Sequence, residues 1–251
     1  MTGTALVRRP STRLAEGLVT HIDRVPVDFD LAVKQHDAYR AALEAAGWTV
    51  RDVDVAEEHP DSVFIEDALI VCGDLAILPT SGAPERRGER AGAERAARDL
   101  GLRIASIDGS GTLDGGDVLQ VGDKVYVGRG GRTNADAVRQ LRALVAPLGR
   151  TVVPVALRGV LHLKSAVTAL PDGTFVALPD HLEPGVFPAF RPVIEEGGCH
   201  VVLLGGDSVL ISASAPRTAD YLTDLGFDVH TVDISEFEKL EGCVTCLSVL
   251  V

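Results

Sequence analysis

Asp117-Val-Leu-Gln-Val-Gly-Asp-Lys-Val-Tyr-Val127 is two short apolar runs divided by Gly122-Asp123. Apolar strand formers on both sides of a Gly-Asp pair predict a tight hairpin. Thr133-Asn134 then supplies a helix start, a helical pattern runs to Leu148, and Gly149 stops it. Thr151 to Val155 reads as one more strand. The unit is strand, turn, strand, helix, strand.

Outward from this stretch the same order returns. Upstream, Asp67 to Leu78 is split by Gly73-Asp74, Pro84 to Leu100 has helical composition, Gly101 closes it, and Leu102 to Ile107 is a strand. Downstream, Ser165 to Leu170 turns at Asp172-Gly173 and returns as Thr174 to Leu178. A fourth copy runs from Ser208 to Ser212, through a helix around Thr218 to Leu225, past Gly226, to Val229 to Val232. The fifth is divided between the termini, with Cys246 to Val251 at one end and Ala5 to Arg8 plus the helix Asp37 to Ala46 at the other.

Each copy alone fits an ordinary α/β sheet with hairpins. Their return predicts an α/β, five-bladed ββαβ propeller with pseudo-fivefold symmetry. A ring closed by the N- and C-terminal segments removes the open sheet edges that invite aggregation. No linker or low-complexity tract interrupts residues 1–251, so a single α/β-propeller domain is expected.

Composition narrows the partners. Acidic residues outnumber basic ones by 36 to 24, and the net charge is −12. Nucleic acid and anionic membrane both need clustered positive charge, so neither is expected, whereas a cationic small molecule would be attracted. The opening Met1-Thr-Gly-Thr-Ala-Leu-Val-Arg8 lacks the apolar stretch of a secretory signal, and no run is long enough to span a bilayer. Cys72, Cys199, Cys243 and Cys246 do not make a disulfide framework. A cytoplasmic protein is expected, with oligomeric state left open and a homodimer allowed.

A polar residue precedes the first strand of each copy. These are Asp61 with Glu66-Asp67, then Asp114-Gly-Gly-Asp117, His162-Leu-Lys164, Gly205-Gly-Asp207 and Thr245-Cys246. Glu66, Asp114 and His162 fall at a constant interval of 48 residues. Equivalent positions in a ring converge on its axis, so carboxylates, a histidine and a cysteine are expected in one cavity. Singly, each has a bland reading as turn residue, core histidine or inert thiol. Together they are the nucleophile, acid/base and orienting set of covalent catalysis.

Two other motifs are weaker. Cys243-Val-Thr-Cys246 matches CxxC, but it runs into Leu-Ser-Val-Leu-Val and not into a helix whose dipole would activate a thiol. Zinc would need further ligands with paired spacing, so no metal is expected. Gly128-Arg-Gly-Gly131 lacks the spacing of a phosphate loop.

The chain resembles the dimethylarginine dimethylaminohydrolases of the guanidino-group modifying, or pentein, superfamily. The segments that carry the resemblance are Phe64-Ile-Glu-Asp67, Gly82-Ala-Pro-Glu-Arg-Arg87, Thr112-Leu-Asp-Gly-Gly-Asp-Val118, Gly131-Arg-Thr-Asn134, Leu161-His-Leu-Lys-Ser165 and Glu241-Gly-Cys-Val-Thr-Cys-Leu-Ser248. It spans nearly the whole chain and implies the five-bladed propeller reached above. By resemblance, Cys246 is the nucleophile, His162 the proton donor and acceptor, and Asp114 the carboxylate beside them. Asp114 stands where some relatives carry Glu, a shorter reach toward His162. Asp67 and Asp114 would grip the guanidinium. Asp61, Glu66, Arg86 and Arg132 would bind the amino-acid end, with carbonyls of Leu18 and Leu240. The substrate implied is a methylated arginine, hydrolysed to citrulline and an amine with no cofactor. Arginine deiminases and amidinotransferases share this chemistry, and a ribosome-binding anti-association factor shares the fold without catalysis. Both remain open at the level of sequence.

Overall fold

β1 (Thr4–Arg8), α1 (Phe29–Ala45) and β2 (Thr49–Val53) open the chain in the computed structural model, which describes residues 3–187 and 189–251. Met1 and Thr2 of the opening segment, and Pro188, lie outside the described residues. Two units follow on the expected plan. One is β3 (Ile70–Cys72), β4 (Leu75–Leu78), α2 (Arg90–Asp99) and β5 (Arg103–Ser106). The next is β6 (Val118–Val121), β7 (Lys124–Arg129), α3 (Ala135–Val145) and β8 (Thr151–Ala156). After them come β9 (Val167–Ala169), β10 (Phe175–Ala177) and β11 (Phe190–Pro192), then β12 (Val202–Gly205), β13 (Ser208–Ser212), α4 (Pro216–Asp224) and β14 (Asp228–Val232). A short helix α5 (Ser235–Glu238) leads to β15 (Ser248–Leu250).

The strands form five three-stranded sheets among the described residues: β3-β4-β5, β6-β7-β8, β9-β10-β11, β12-β13-β14 and β15-β1-β2. In each, an antiparallel pair is followed by a parallel neighbour. A parallel neighbour needs a crossover, which is why a helix separates the last two strands in four of them. Cys72 faces Leu75 and Val121 faces Lys124 across the predicted Gly-Asp hairpins. The fifth sheet is built from both ends, since Ala5 pairs with Leu250 and Val7 with Ser248.

The helix read from Asp37 already begins at Phe29, and three further expectations change. The segment from Pro84 is a 3-10 turn to Glu89 and becomes α-helical only from Arg90. Among the described residues the β9-β10-β11 unit has no α-helical crossover, only a 3-10 turn at Pro179–His181, because Pro179 and Pro184 interrupt the stretch where a helix would form. In the fourth unit the strand Val202–Gly205 precedes the one read from sequence, so Gly205-Gly-Asp207 is a hairpin turn and not an entry to the first strand.

The true entries are five short 3-10 turns: Ile65–Ala68, Gly115–Asp117, Leu163–Ser165, Glu196–Cys199 and Val244–Leu247. Val244–Leu247 packs on Ile65–Ala68, and the contacts continue turn to turn as far as Glu196–Cys199. β13 packs back against Val244–Leu247. Tyr39 of α1 pins the last turn, its hydroxyl donating to the Val244 carbonyl at 2.9 Å and lying 2.8 Å from Ser248 Oγ. That buried ring joins Leu43, Val244 and Leu247 in one apolar cluster. Each such side chain contributes about 1.5–3 kcal/mol by burial.

Candidate active site

Four of the five entry turns bring chemically useful side chains to one region. The turn Val244–Leu247 holds Cys246, whose amide donates to the Cys243 carbonyl at 3.0 Å. His162 caps the turn Leu163–Ser165, Asp114 caps Gly115–Asp117, and Asp67 sits inside Ile65–Ala68. A small pocket of about 20 Å³ is lined by Leu18, Asp61, Asp67, Arg86, Arg132, His162, Leu240 and Cys246, together with Phe64, Leu161, Glu241 and Gly242. Eight of the ten residues expected from sequence therefore line one cavity.

His162 is held between two carboxylates. Its Nε2 lies 3.3 Å from Asp114 Oδ2 and its Nδ1 lies 3.8 Å from Asp67 Oδ1. Burial favours the neutral ring, but Asp67, Asp114 and Asp117 outweigh it and raise the pKa to about 9. His162 is thus an imidazolium at neutral pH. Burial pushes Asp114 upward, yet the hydrogen bond and charge of His162, with Arg86 behind, hold it well below the usual carboxylate range. Asp114 also accepts the Gly82 amide at 3.1 Å and Arg132 Nη1 at 3.3 Å. The shorter aspartate reaches the histidine, although it does not line the pocket itself.

Two expected residues have other partners. Glu66 turns away to a second cavity of about 250 Å³, lined by the first strands of the sheets, where it pairs with Lys164. Burial raises its pKa to about 8 against the pull of Lys164. Arg86 does line the pocket, but its fork is committed. It donates to Glu89 at 2.9 and 2.8 Å, to Asp67 Oδ2 at 2.6 Å, and to the Asp61 and Phe64 carbonyls at 3.2 Å. Arg132 makes only its 3.3 Å contact with Asp114 among the described residues, and the rest of its fork is uncommitted. Asp61 accepts the Leu18 amide at 3.0 Å, so Leu18 meets it through N–H and not through its carbonyl.

Some participants were given no role of their own from the sequence. Asp117 accepts from Thr133 Oγ1 at 2.5 Å and from the Leu163 amide at 2.9 Å, fixing the residue after His162. Burial raises its pKa to about 6. Glu241 takes the Thr20 and His21 amides and so latches the loop that carries Leu18 over the pocket. The readable signal for the floor was Gly115-Gly116. A Cβ on Gly116 would sit 2.6 Å from His162 Nδ1 and 2.9 Å from Asp67 Oδ1, and one on Gly115 would strike the Glu66 carbonyl.

The two thiols also form one unit. Cys243 Sγ and Cys246 Sγ are 3.1 Å apart, Cys243 does not line the pocket, and Cys246 does. The hydrogen bond between them lowers Cys243 and raises Cys246, because a Cys243 thiolate accepts a hydrogen bond from the thiol that Cys246 retains. Asp67, Asp114 and His162 present ligand atoms within 4.8 Å of one another, a set a cation could use. While His162 is protonated, its ring has no lone pair to offer a metal.

No family model matches the chain. It is 59% identical over 246 residues, 98% of its length and 95% of the relative's, to N(G),N(G)-dimethylarginine dimethylaminohydrolase of Streptomyces coelicolor. The chain belongs to that family. A second member, from Pseudomonas aeruginosa, is 32% identical and is covered over 97% of both chains. A dimethylarginine dimethylaminohydrolase adduct with S-methyl-L-thiocitrulline superposes with a TM-score of 0.93 at 30% identity over 100% of both chains. A mutant Pseudomonas aeruginosa dimethylarginine dimethylaminohydrolase complexed with citrulline gives 0.91 at 31% identity, again over 100% of both. The N-terminal domain of an arginine dihydrolase, at 20% identity and a TM-score of 0.87, shares the fold alone.

Proposed function

We propose that the protein hydrolyses N(omega)-methylated arginine to citrulline and di- or monomethylamine through a covalent adduct on Cys246. The observation that carries this is Cys246 and His162 on one small pocket, with carboxylates on both sides of the histidine, in a member of this family. We read the five sheets as a closed propeller and residues 1–251 as one catalytic domain. The turn-to-turn packing and the terminal sheet support both readings. No helix among the described residues is long and apolar enough to cross a membrane. From the sequence we place the proposed enzyme in the cytoplasm.

Asp67 grips the substrate guanidinium, since it faces the pocket and carboxylates match the flat fork of donors. Arg86 holds Asp67 in place and is a positioning residue. Asp114 orients His162. Arg132 reads the substrate carboxylate, Asp61 fixes Leu18, and the Leu18 and Leu240 carbonyls take the α-amino group.

The arriving cation draws the shared thiolate charge onto Cys246, which attacks the guanidinium carbon. A C–S bond forms, and the tetrahedral adduct expels the amine after His162 protonates it. A water then attacks the S-alkylthiouronium, losing its proton to the now neutral His162, and the C–S bond breaks to release citrulline. No step needs a cofactor.

The test is to incubate the protein separately with asymmetric dimethylarginine, arginine and agmatine, and to identify the released amine. Dimethylamine and citrulline from the first are expected. Ammonia from arginine at a higher rate would make it a deiminase, and no product from any of the three would remove the enzymatic reading.

A further inference from the structure

Cys243 is the half of the CxxC motif that makes no bond to substrate in the proposed reaction. Cys243 stands behind the nucleophile, out of the pocket, with its sulfur 3.1 Å from Cys246 Sγ. The other two thiols face oxygen acceptors instead. Cys72 Sγ meets Gln120 Oε1 at 3.0 Å, and Cys199 Sγ meets the Ser165 and Glu196 carbonyls at 3.3 and 3.2 Å.

We propose that Cys243 and Cys246 form a reversible disulfide on exposure to hydrogen peroxide, which shuts the enzyme off and protects its nucleophile from irreversible oxidation. This rests on the reading of Cys246 as nucleophile. The 3-10 turn supplies the geometry. The Cys246 amide bonds the Cys243 carbonyl, which keeps the two Cα atoms under about 7 Å apart, close to the range a disulfide spans. Little backbone motion is needed, because the sulfurs already touch. Cys246 opens to the pocket, so peroxide reaches it by the substrate's route.

The chemistry balances in two steps. A thiolate of the pair attacks one peroxide oxygen, the O–O bond breaks, and hydroxide leaves and takes a proton as water. The second sulfur then attacks the sulfenic acid, an S–S bond forms, the S–O bond breaks, and a second water departs. Two thiols lose two electrons and peroxide is reduced to two waters. Without Cys243 the sulfenic acid at Cys246 has no adjacent thiol and proceeds to the sulfinic acid, which thiols do not reduce.

The experiment exposes reduced wild type and Cys243→Ser to excess hydrogen peroxide, removes it, and measures activity before and after dithiothreitol. In parallel, free thiols are alkylated under denaturing conditions and the tryptic peptide 240–251, which follows Lys239 and holds both cysteines, is weighed. In wild type the peptide should be lighter by two hydrogens and unlabelled, with activity lost and then restored by dithiothreitol. In Cys243→Ser the loss should be permanent, with Cys246 two oxygens heavier. A wild-type peptide that stays fully alkylatable, or carries a sulfinic acid beside a free Cys243, overturns the proposal. So does a disulfide that uses Cys72 or Cys199. The mass readout needs no turnover, so failure of the disulfide and failure of the hydrolase reading give different results.

Discussion

Arg86 and Arg132 carry the same guanidinium and stand on the same pocket, yet their surroundings give them different work. Arg86 is buried and bound by two carboxylates and two carbonyls. Removing it would strip Asp67 of its shortest contact and leave Glu89 a buried charge without its ion-pair partner, so its loss would destabilise the floor itself. Arg132 has one long contact to Asp114 and a fork open to a ligand. Charge-assisted bonds of that kind contribute about 1.5–3 kcal/mol, which is roughly a 10- to 100-fold change in rate. Arg132→Ala should therefore lower kcat/KM for dimethylarginine by roughly 10- to 100-fold, while a carboxylate-free analogue is turned over almost as before. Steady-state kinetics on both substrates check this. Equal losses would show that Arg132 supports the structure through Asp114 and does not read the carboxylate.

At the scale of elements, the strand-entry turns carry the chemistry and the helices hold the sheets in order. α3 illustrates how local sequence does this. Asn134 has extended backbone, and its side chain accepts the Ala137 amide at 3.0 Å, capping the helix. Its own Nδ2 donates to the Ser110 carbonyl at 2.7 Å, which ties the cap to the loop before Asp114. Val138, Leu141 and Val145 are buried one turn apart on the inner face. Asn134→Ala should cost about 1 kcal/mol, the usual effect of losing such a cap. Thermal unfolding measures it. A change within error would mean that packing of the inner face alone sets the helix start.

For the molecule as a whole, two histidines oppose each other across pH. His36 is fully buried against Phe237, and neither of its ring nitrogens has a hydrogen-bond partner among the described residues. Burial, with Arg40 and Arg9 nearby, pushes its pKa down to about 4. The unfolded chain therefore takes up a proton near pH 6.5 that the folded chain refuses until about pH 4. This contribution is fully present above pH 6.5 and is lost as the pH falls toward 4. His162 runs the other way, since its raised pKa stabilises the fold below pH 6.5 and that gain is lost as pH rises toward 9. Between pH 7 and 5 wild type should lose about 2 kcal/mol more than His36→Leu, measured by denaturant unfolding at both values. Identical losses would mean that His36 is protonated in the folded state.

Period-2 apolar runs, Gly-Asp hairpins and helix stops are local, so the repeating unit was readable from Asp117 to Val127 outward. The convergence of Cys246, His162, Asp114 and Asp67 was readable too, because repeat phase stands in for distance when units recur. Where the repeat drifts, that substitute fails. Prolines remove the third crossover helix, and the fourth unit's extra strand moves Asp207 from entry to hairpin. Direction was also invisible. Glu66 and Asp67 are adjacent in sequence, but successive side chains of the turn point to different cavities, one toward Lys164 and one toward Arg86. The partners Glu89 and Asp117 were hidden for the same reason, since a buried carboxylate and a solvated one look alike until packing excludes water from one of them. Sequence alone thus determined which kinds of residue meet, and tertiary packing decided which of their donors and charges remained free to act.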